Sequence, residues 1–191
     1  MGADTGTCDA AGEPALLVHV APGVYPAAGL DLVPRVSLQG AGAESTVIEG
    51  TLLGLRTGAH LSGLKITKGA DGGIVVASGE APEIADCAIV ENVLFGVLFG
   101  PGADFGGLPG SLPLLEGCTI SRTRRHHECG YSGGAVIVAD SGGADLRRCT
   151  ISENEDCGVA CDVVSYATLS DCRISGNSGG GIWASEFSST R

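Results

Sequence analysis

Apolar positions in this chain recur on a fixed pattern centred on a Cys-x-Ile element. It reads LSGLKITKG around Leu64, IADCAIVEN at Cys87, LEGCTISRT at Cys118, LRRCTISEN at Cys149 and LSDCRISGN at Cys172. The steps between units are 23, 31, 31 and 23 residues. Two equal short steps and two longer ones describe a constant coil that carries loop insertions. The insertions are FGPGADFGGLPGSLP in one coil and RTRRHHECGYSGG in the next. A second apolar run follows in each unit, led by glycine: GIVVA at Gly73, GVLFG at Gly96, GAVIV at Gly134, GVACD at Gly158 and GIWAS at Gly181.

The alternation of a strand assigns the faces. Ile66, Ile89, Ile120, Ile151 and Ile174 point inward, and so do Leu64, Cys87, Cys118, Cys149 and Cys172 two residues earlier. Like residues then stack at about 4.8 Å per coil. Asn92, Asn154 and Asn177 form an aligned turn position, suited to left-handed backbone, which Thr123 interrupts. In the second run Val75, Leu98, Val136, Ala160 and Trp183 point outward, and Phe105 and Leu108 of the glycine-rich insertion would cover Leu98. The expected fold is all-β: a right-handed parallel β-helix, a single-stranded solenoid of about seven coils. A leucine-rich repeat would place an aliphatic residue or a helix after the Asn. The segments EDCGVAC and SGGGIWA that follow Asn154 and Asn177 do not suit one.

Residues 1–13 read as an N-terminal extension, disordered or otherwise outside the repeat. Residues 14–191 read as one β-helix domain with loop insertions near 100–113 and 122–133. No polar or helical cap follows Ile182. A bare coil exposes core and strand edges, which predicts further coils or end-to-end self-association, and a chain that is a fragment of a larger protein.

Composition sharpens this picture. Of 191 residues 32 are glycine, aromatics are 4% and charged residues 17%, as short strands joined by tight turns require. The formal net charge is −11, with 11 Lys and Arg against 22 acids, so the basic footprint of a nucleic-acid binder is absent. No apolar run approaches the roughly 18 residues of a membrane span. The opening MGADTGTCDAAGEP lacks the basic and apolar regions of an export signal. The expected location is nonetheless secreted, periplasmic or cell surface, with that signal outside this sequence.

The stretch VHVAPGVYPAAGLDLVPRVSLQGAGAESTVIEG has an apolar strand, a Pro-Gly-x-Tyr turn, then a strand ending Gly-x-Gly before Thr-Val-Ile. It resembles the opening coils of the pectate-lyase-like superfamily, and with the later coils the resemblance covers about residues 14–187. It implies the fold more than a reaction. The superfamily holds polysaccharide lyases, glycoside hydrolases, epimerases, tailspikes, adhesins and catalytically silent domains. The R-x-x-R-x-P of pectate lyases, the polygalacturonase set and the Tyr-Gly-x-Asp-Pro-His of alginate epimerases are all missing from the chain. Whether it is an enzyme is left open; if so, the resemblance implies a polysaccharide lyase or glycoside hydrolase.

The resemblance also implies a saccharide on the outer face of the Cys-x-Ile sheet. Its middle row is Lys65, Ala88, Thr119, Thr150 and Arg173, and Arg148 and Asp171 belong to a flanking row. Arg148, Asp171 and Arg173 would cluster there, with Arg124 in the basic loop forming a wall and the arginines gripping a uronate. The plainer alternative is a solvated face of cross-strand ion pairs. Asp86 and Asp171, about 14 Å apart over three coils, are too distant for a hydrolytic pair. Adjacent His126 and His127 are weak metal candidates that would need remote ligands. No cofactor is expected, with a structural or catalytic cation left open. Cys129 and Cys157 fall in equivalent turns and are a disulfide candidate, the ladder cysteines are buried thiols, and Cys8 has no evident mate. Trp183, the only Trp, is either core packing or a stacking platform for sugar. The function expected is a saccharide-binding or saccharide-processing domain outside the cytosol; the alternative is a non-enzymatic structural or adhesive surface spacer.

Overall fold

The computed structural model describes residues 15–77, 79–100, 112–125, 134–139, 142–162, 164–185 and 188–190. Every strand pairing among them is parallel, and no helix occurs among the described residues. The chain winds as a parallel β-helix. The first strands of successive coils are Leu16–Val20, Val36–Gly40, His60–Ser62, Glu83–Ala85, Leu114–Glu116, Gly143–Arg147, Tyr166–Ser170 and Ser189–Thr190, and they form one eight-stranded sheet. Seven coils are therefore wound before Ser189–Thr190 opens another.

The Cys-x-Ile strands form the second column: Lys65–Thr67, Ala88–Val90, Thr119–Ser121, Thr150–Ser152 and Arg173–Ser175. The glycine-led runs form the third: Ile74–Val76, Val97–Phe99, Gly134–Val138, Cys157–Cys161 and Ile182–Ala184. In the second coil both columns are one unbroken strand, Thr46–Leu55. Its first half pairs with Lys65–Thr67 and its second half with Ile74–Val76. The corner between the two columns thus starts with the third coil.

Strand register lines the core with aliphatic columns. Ile48, Ile66, Ile89, Ile120, Ile151 and Ile174 are consecutive partners. Facing them stand Leu38, Leu61, Ile84, Leu115, Leu146 and Leu169. A third column runs Leu52, Ile74, Val97, Val136, Val159 and Ile182. Mid-solenoid members such as Ile120, Leu115 and Val136 are fully buried, whereas Ile182 in the last coil is 47% exposed. Each mid-column side chain withdraws enough apolar area to contribute about 2 kcal/mol.

Each coil turns two corners on left-handed residues. Gly63, Asp86, Gly117, Arg148 and Asp171 (φ 62, 50, 62, 51 and 55°) end the first-sheet strand. Lys68, Glu91, Arg122, Glu153 and Gly176 (φ 59, 60, 55, 60 and 67°) end the Cys-x-Ile strand. The next residue carries the Asn column. Asn92 accepts from the Gly69 amide (2.9 Å) and donates to the Ile66 carbonyl (3.1 Å). Asn154 repeats this two coils on, accepting from the Thr123 amide (3.0 Å), and its Nδ2 also donates to Asn177 Oδ1 (2.7 Å). The left-handed residue is thus the one before the Asn, and the Asn itself ties coil to coil.

Two expectations of facing are corrected by the register. Val97 pairs with Val136, not with Ala135, so the GAVIV run is shifted by one residue against its neighbours. Ala135 takes the glycine position, Val136 turns inward and is fully buried, and Ile137 is the outward residue. A one-residue slip exchanges the faces of a strand, and here Ala135 rather than Gly134 is the partner position of Gly96. Similarly, Arg148 and Asp171 are corner residues rather than a flanking row of the Cys-x-Ile strand.

Candidate functional site

On the outer face of the first sheet the side chains four and two residues before each Cys position form two rows. The upper row runs His60, Glu83, Leu114, Asp145 and Thr168, and the lower one Ser62, Ala85, Glu116, Arg147 and Ser170. A cleft of about 500 Å³ opens over these rows across four successive coils, from Thr57 and His60 at one side to Asp145 and Arg147 at the other. Leu112 and Leu114 give it an apolar floor.

The rim is charged and internally paired. Arg147 donates from Nε to Asp145 Oδ2 (3.0 Å), and its guanidinium side chain stays half exposed. The Asp145 carboxylate raises the Arg147 pKa further. Asp145 Oδ1 is buried with no protein partner. At the opposite rim His60 Nδ1 lies 3.7 Å from Glu83 Oε2. The Thr57 side of the cleft is held by Glu80, which accepts from the Thr57 amide (2.6 Å) and from Arg56 (3.3 Å). Burial works to raise the Glu80 carboxyl, but the Thr57 amide and hydroxyl together with Arg56 outweigh it and hold the pKa below the ordinary value.

An aromatic ring stands beside the floor. Tyr166 pairs in register with Gly143 and is 41% exposed. A Cβ at Gly143 would lie 2.7 Å from Tyr166 Cζ and 2.8 Å from Leu112 Cδ2, so the missing side chain lets ring and leucine close on the same point. Tyr166, Leu112 and Leu114 make an apolar strip next to a guanidinium and two carboxylates. Glu83 and Asp145 are two strand steps apart, about 10 Å along the sheet.

Of the residues singled out from sequence, Arg148 and Asp171 stand at equivalent corners of neighbouring coils with Arg173 two residues on, whereas Lys65 lies apart from them. Lys65 and Arg173 share one outward row as expected, but four strand steps, about 19 Å, separate them. Arg148 at its corner is engaged by Glu116 at 2.5 Å. Asp171 and Arg124 are exposed on corner and loop, and Trp183 is 39% exposed on the third column. The candidates His126, His127 and Cys129 lie outside the described residues, as do Phe105, Leu108 and Cys8; Cys157 is buried. Among the described residues no cluster of His, Cys, Asp and Glu has the geometry to hold a metal ion.

The sequence held a signal for the cleft that the Cys-x-Ile alignment passed over. His60, Glu83, Leu114 and Asp145 all stand four residues before the Cys position, one residue upstream of the repeated segments that begin at Leu61, Ile84, Leu115 and Leu146.

The family model described as a right handed beta helix region matches residues 51–190. The chain belongs to the right-handed β-helix family. The handedness follows from that membership, and the resemblance to the pectate-lyase-like superfamily is compatible with it. A search of the curated proteins finds no match. In this β-helix the cleft lies on the sheet before the Cys-x-Ile strands, not on those strands. No helix among the described residues is long and apolar enough to cross a membrane.

Proposed function

We propose that this β-helix is a saccharide-binding domain working outside the cytosol, with a neutral polysaccharide segment lying in the first-sheet cleft. The observation that carries this is the apolar strip of Tyr166, Leu112 and Leu114 set against Asp145 and Arg147. A pyranose presents an apolar face for a ring to cover and hydroxyls at its edge for charged partners. Asp145 Oδ1, buried and without a protein partner, is an acceptor suited to a sugar hydroxyl. A neutral ligand is favoured over a uronate because Arg147, Arg148 and Arg56 are each compensated by a carboxylate, and the net charge of −11 repels polyanions.

Screening on a glycan array, followed by calorimetry on the best ligand, tests this. Tyr166→Ala and Asp145→Asn should each weaken binding about tenfold or more, the equivalent of one lost contact, while Arg173→Ala and Arg148→Ala leave it unchanged. Binding lost only in the two arginine variants would move the site to the Cys-x-Ile face. Failure of any glycan to bind would overturn the proposal in favour of the structural spacer.

A further inference from the structure

The core contains a column of thiols that the cleft does not use. Cys87, Cys118, Cys149 and Cys172 precede strands paired in direct register, so neighbouring members stand one strand spacing apart. That spacing, about 4.8 Å, falls within the Cα separations that a disulfide spans. The thiols also share one orientation. Cys149 Sγ donates to the carbonyls of Leu115 (3.4 Å) and Arg147 (3.3 Å), and Cys172 Sγ to the equivalent Leu146 (3.4 Å) and Ser170 (3.5 Å).

Access differs sharply along the column. Cys87, Cys118 and Cys149 are 2%, 1% and 1% exposed, whereas Cys172 is only partly buried. A reagent in solution therefore meets Cys172 first, with Cys149 one strand spacing behind it.

We propose that Cys172 and Cys149 form a redox modification site in which a small external disulfide is captured by Cys172 and resolved by Cys149. The Cys172 thiol loses its proton to water and its sulfur attacks the external disulfide, forming a mixed disulfide and expelling one small thiolate. Cys149 gives its proton to the small thiolate expelled in the first step, and its sulfur attacks the Cys172 sulfur and displaces the second small thiolate, leaving a Cys149–Cys172 bond between the last two coils of the thiol column; the Cys118 thiol and burial hold the Cys149 pKa far above the ordinary value, so this step too is faster in alkali. Two electrons pass to the external disulfide, which leaves as two thiols. Burial raises the Cys172 pKa, so capture is slow at neutral pH and faster in alkali.

The test is incubation of the folded full chain with oxidised glutathione, alkylation of remaining thiols in denaturant, and disulfide mapping by mass spectrometry. Cleavage at acidic residues separates the relevant peptides, since Glu153, Glu155, Asp156 and Asp171 lie between Cys149 and Cys172. The wild type should yield the Cys149–Cys172 linked pair. Cys149→Ser should instead retain glutathione on Cys172, and Cys172→Ala should leave Cys87, Cys118 and Cys149 unmodified. Wild-type mapping decides the matter by itself if a variant fails to fold. Stable glutathione on wild-type Cys172, its pairing with any other cysteine, equal reactivity at Cys118, or no reaction at Cys172 would each overturn the proposal.

Discussion

At each corner of a coil one residue carries a left-handed backbone, and side-chain amides then secure what the turn leaves open. Left-handed geometry costs a non-glycine residue roughly 1–2 kcal/mol, yet Asp86, Arg148, Glu91, Arg122 and Glu153 all adopt it. On the second corner their charges alternate, and Arg122 lies 3.2 Å from Glu91 and 4.0 Å from Glu153, which offsets part of that cost. The Asn column contributes more, because its partners are buried amides. Asn154→Ala would strand the Thr123 N–H and remove a bond to Asn177. It should lower unfolding stability by about 1–3 kcal/mol, read from chemical denaturation.

At the scale of an element, the segment carrying Thr57 to His60 shapes one side of the cleft and is pinned by a single carboxylate. Glu80 holds the Thr57 amide, while Thr57 Oγ1 accepts from the Ala81 amide (2.9 Å). The Glu80 pKa is lower in the folded chain than its ordinary value of about 4.5. The unfolded chain therefore binds the proton more tightly, so the stabilisation is fully present above about pH 4.5 and is lost as pH falls through the folded value. Thermal midpoints of wild type and Glu80→Gln should accordingly differ at pH 7 and converge in acid. A constant gap across pH would show that the carboxylate charge is not what holds the segment.

For the molecule as a whole, a solenoid distributes its stability coil by coil. The Ile column is sealed in mid-chain, where Ile120 is fully buried, and opens toward the last coil, where Ile174 is only partly buried. Ile120→Ala should therefore cost about 3 kcal/mol, in the range for large-to-small changes in a packed core. Ile174→Ala should cost less than half of that when both are measured by denaturant unfolding. Equal losses would mean that the last coil is packed as tightly as the middle ones.

The sequence by itself determined the coil length, the inward Ile and Cys columns, the aligned Asn position and the β-helix. Each of these follows from a period that every coil must repeat for like residues to stack. It misplaced Val136 because GAVIV offers glycine in one position and alanine in the next, and only pairing with Val97 chooses between them. The cleft was legible only as isolated residues at a common offset. Glu83, Leu114 and Asp145 are far apart in the chain and acquire one face when parallel pairing sets them side by side. Tyr166 reaches Leu112 because Gly143 between them has no side chain. Local chemistry specifies the repeat, but which outward residues share a surface is set by inter-coil register and loop path, and those exist only once the chain is wound.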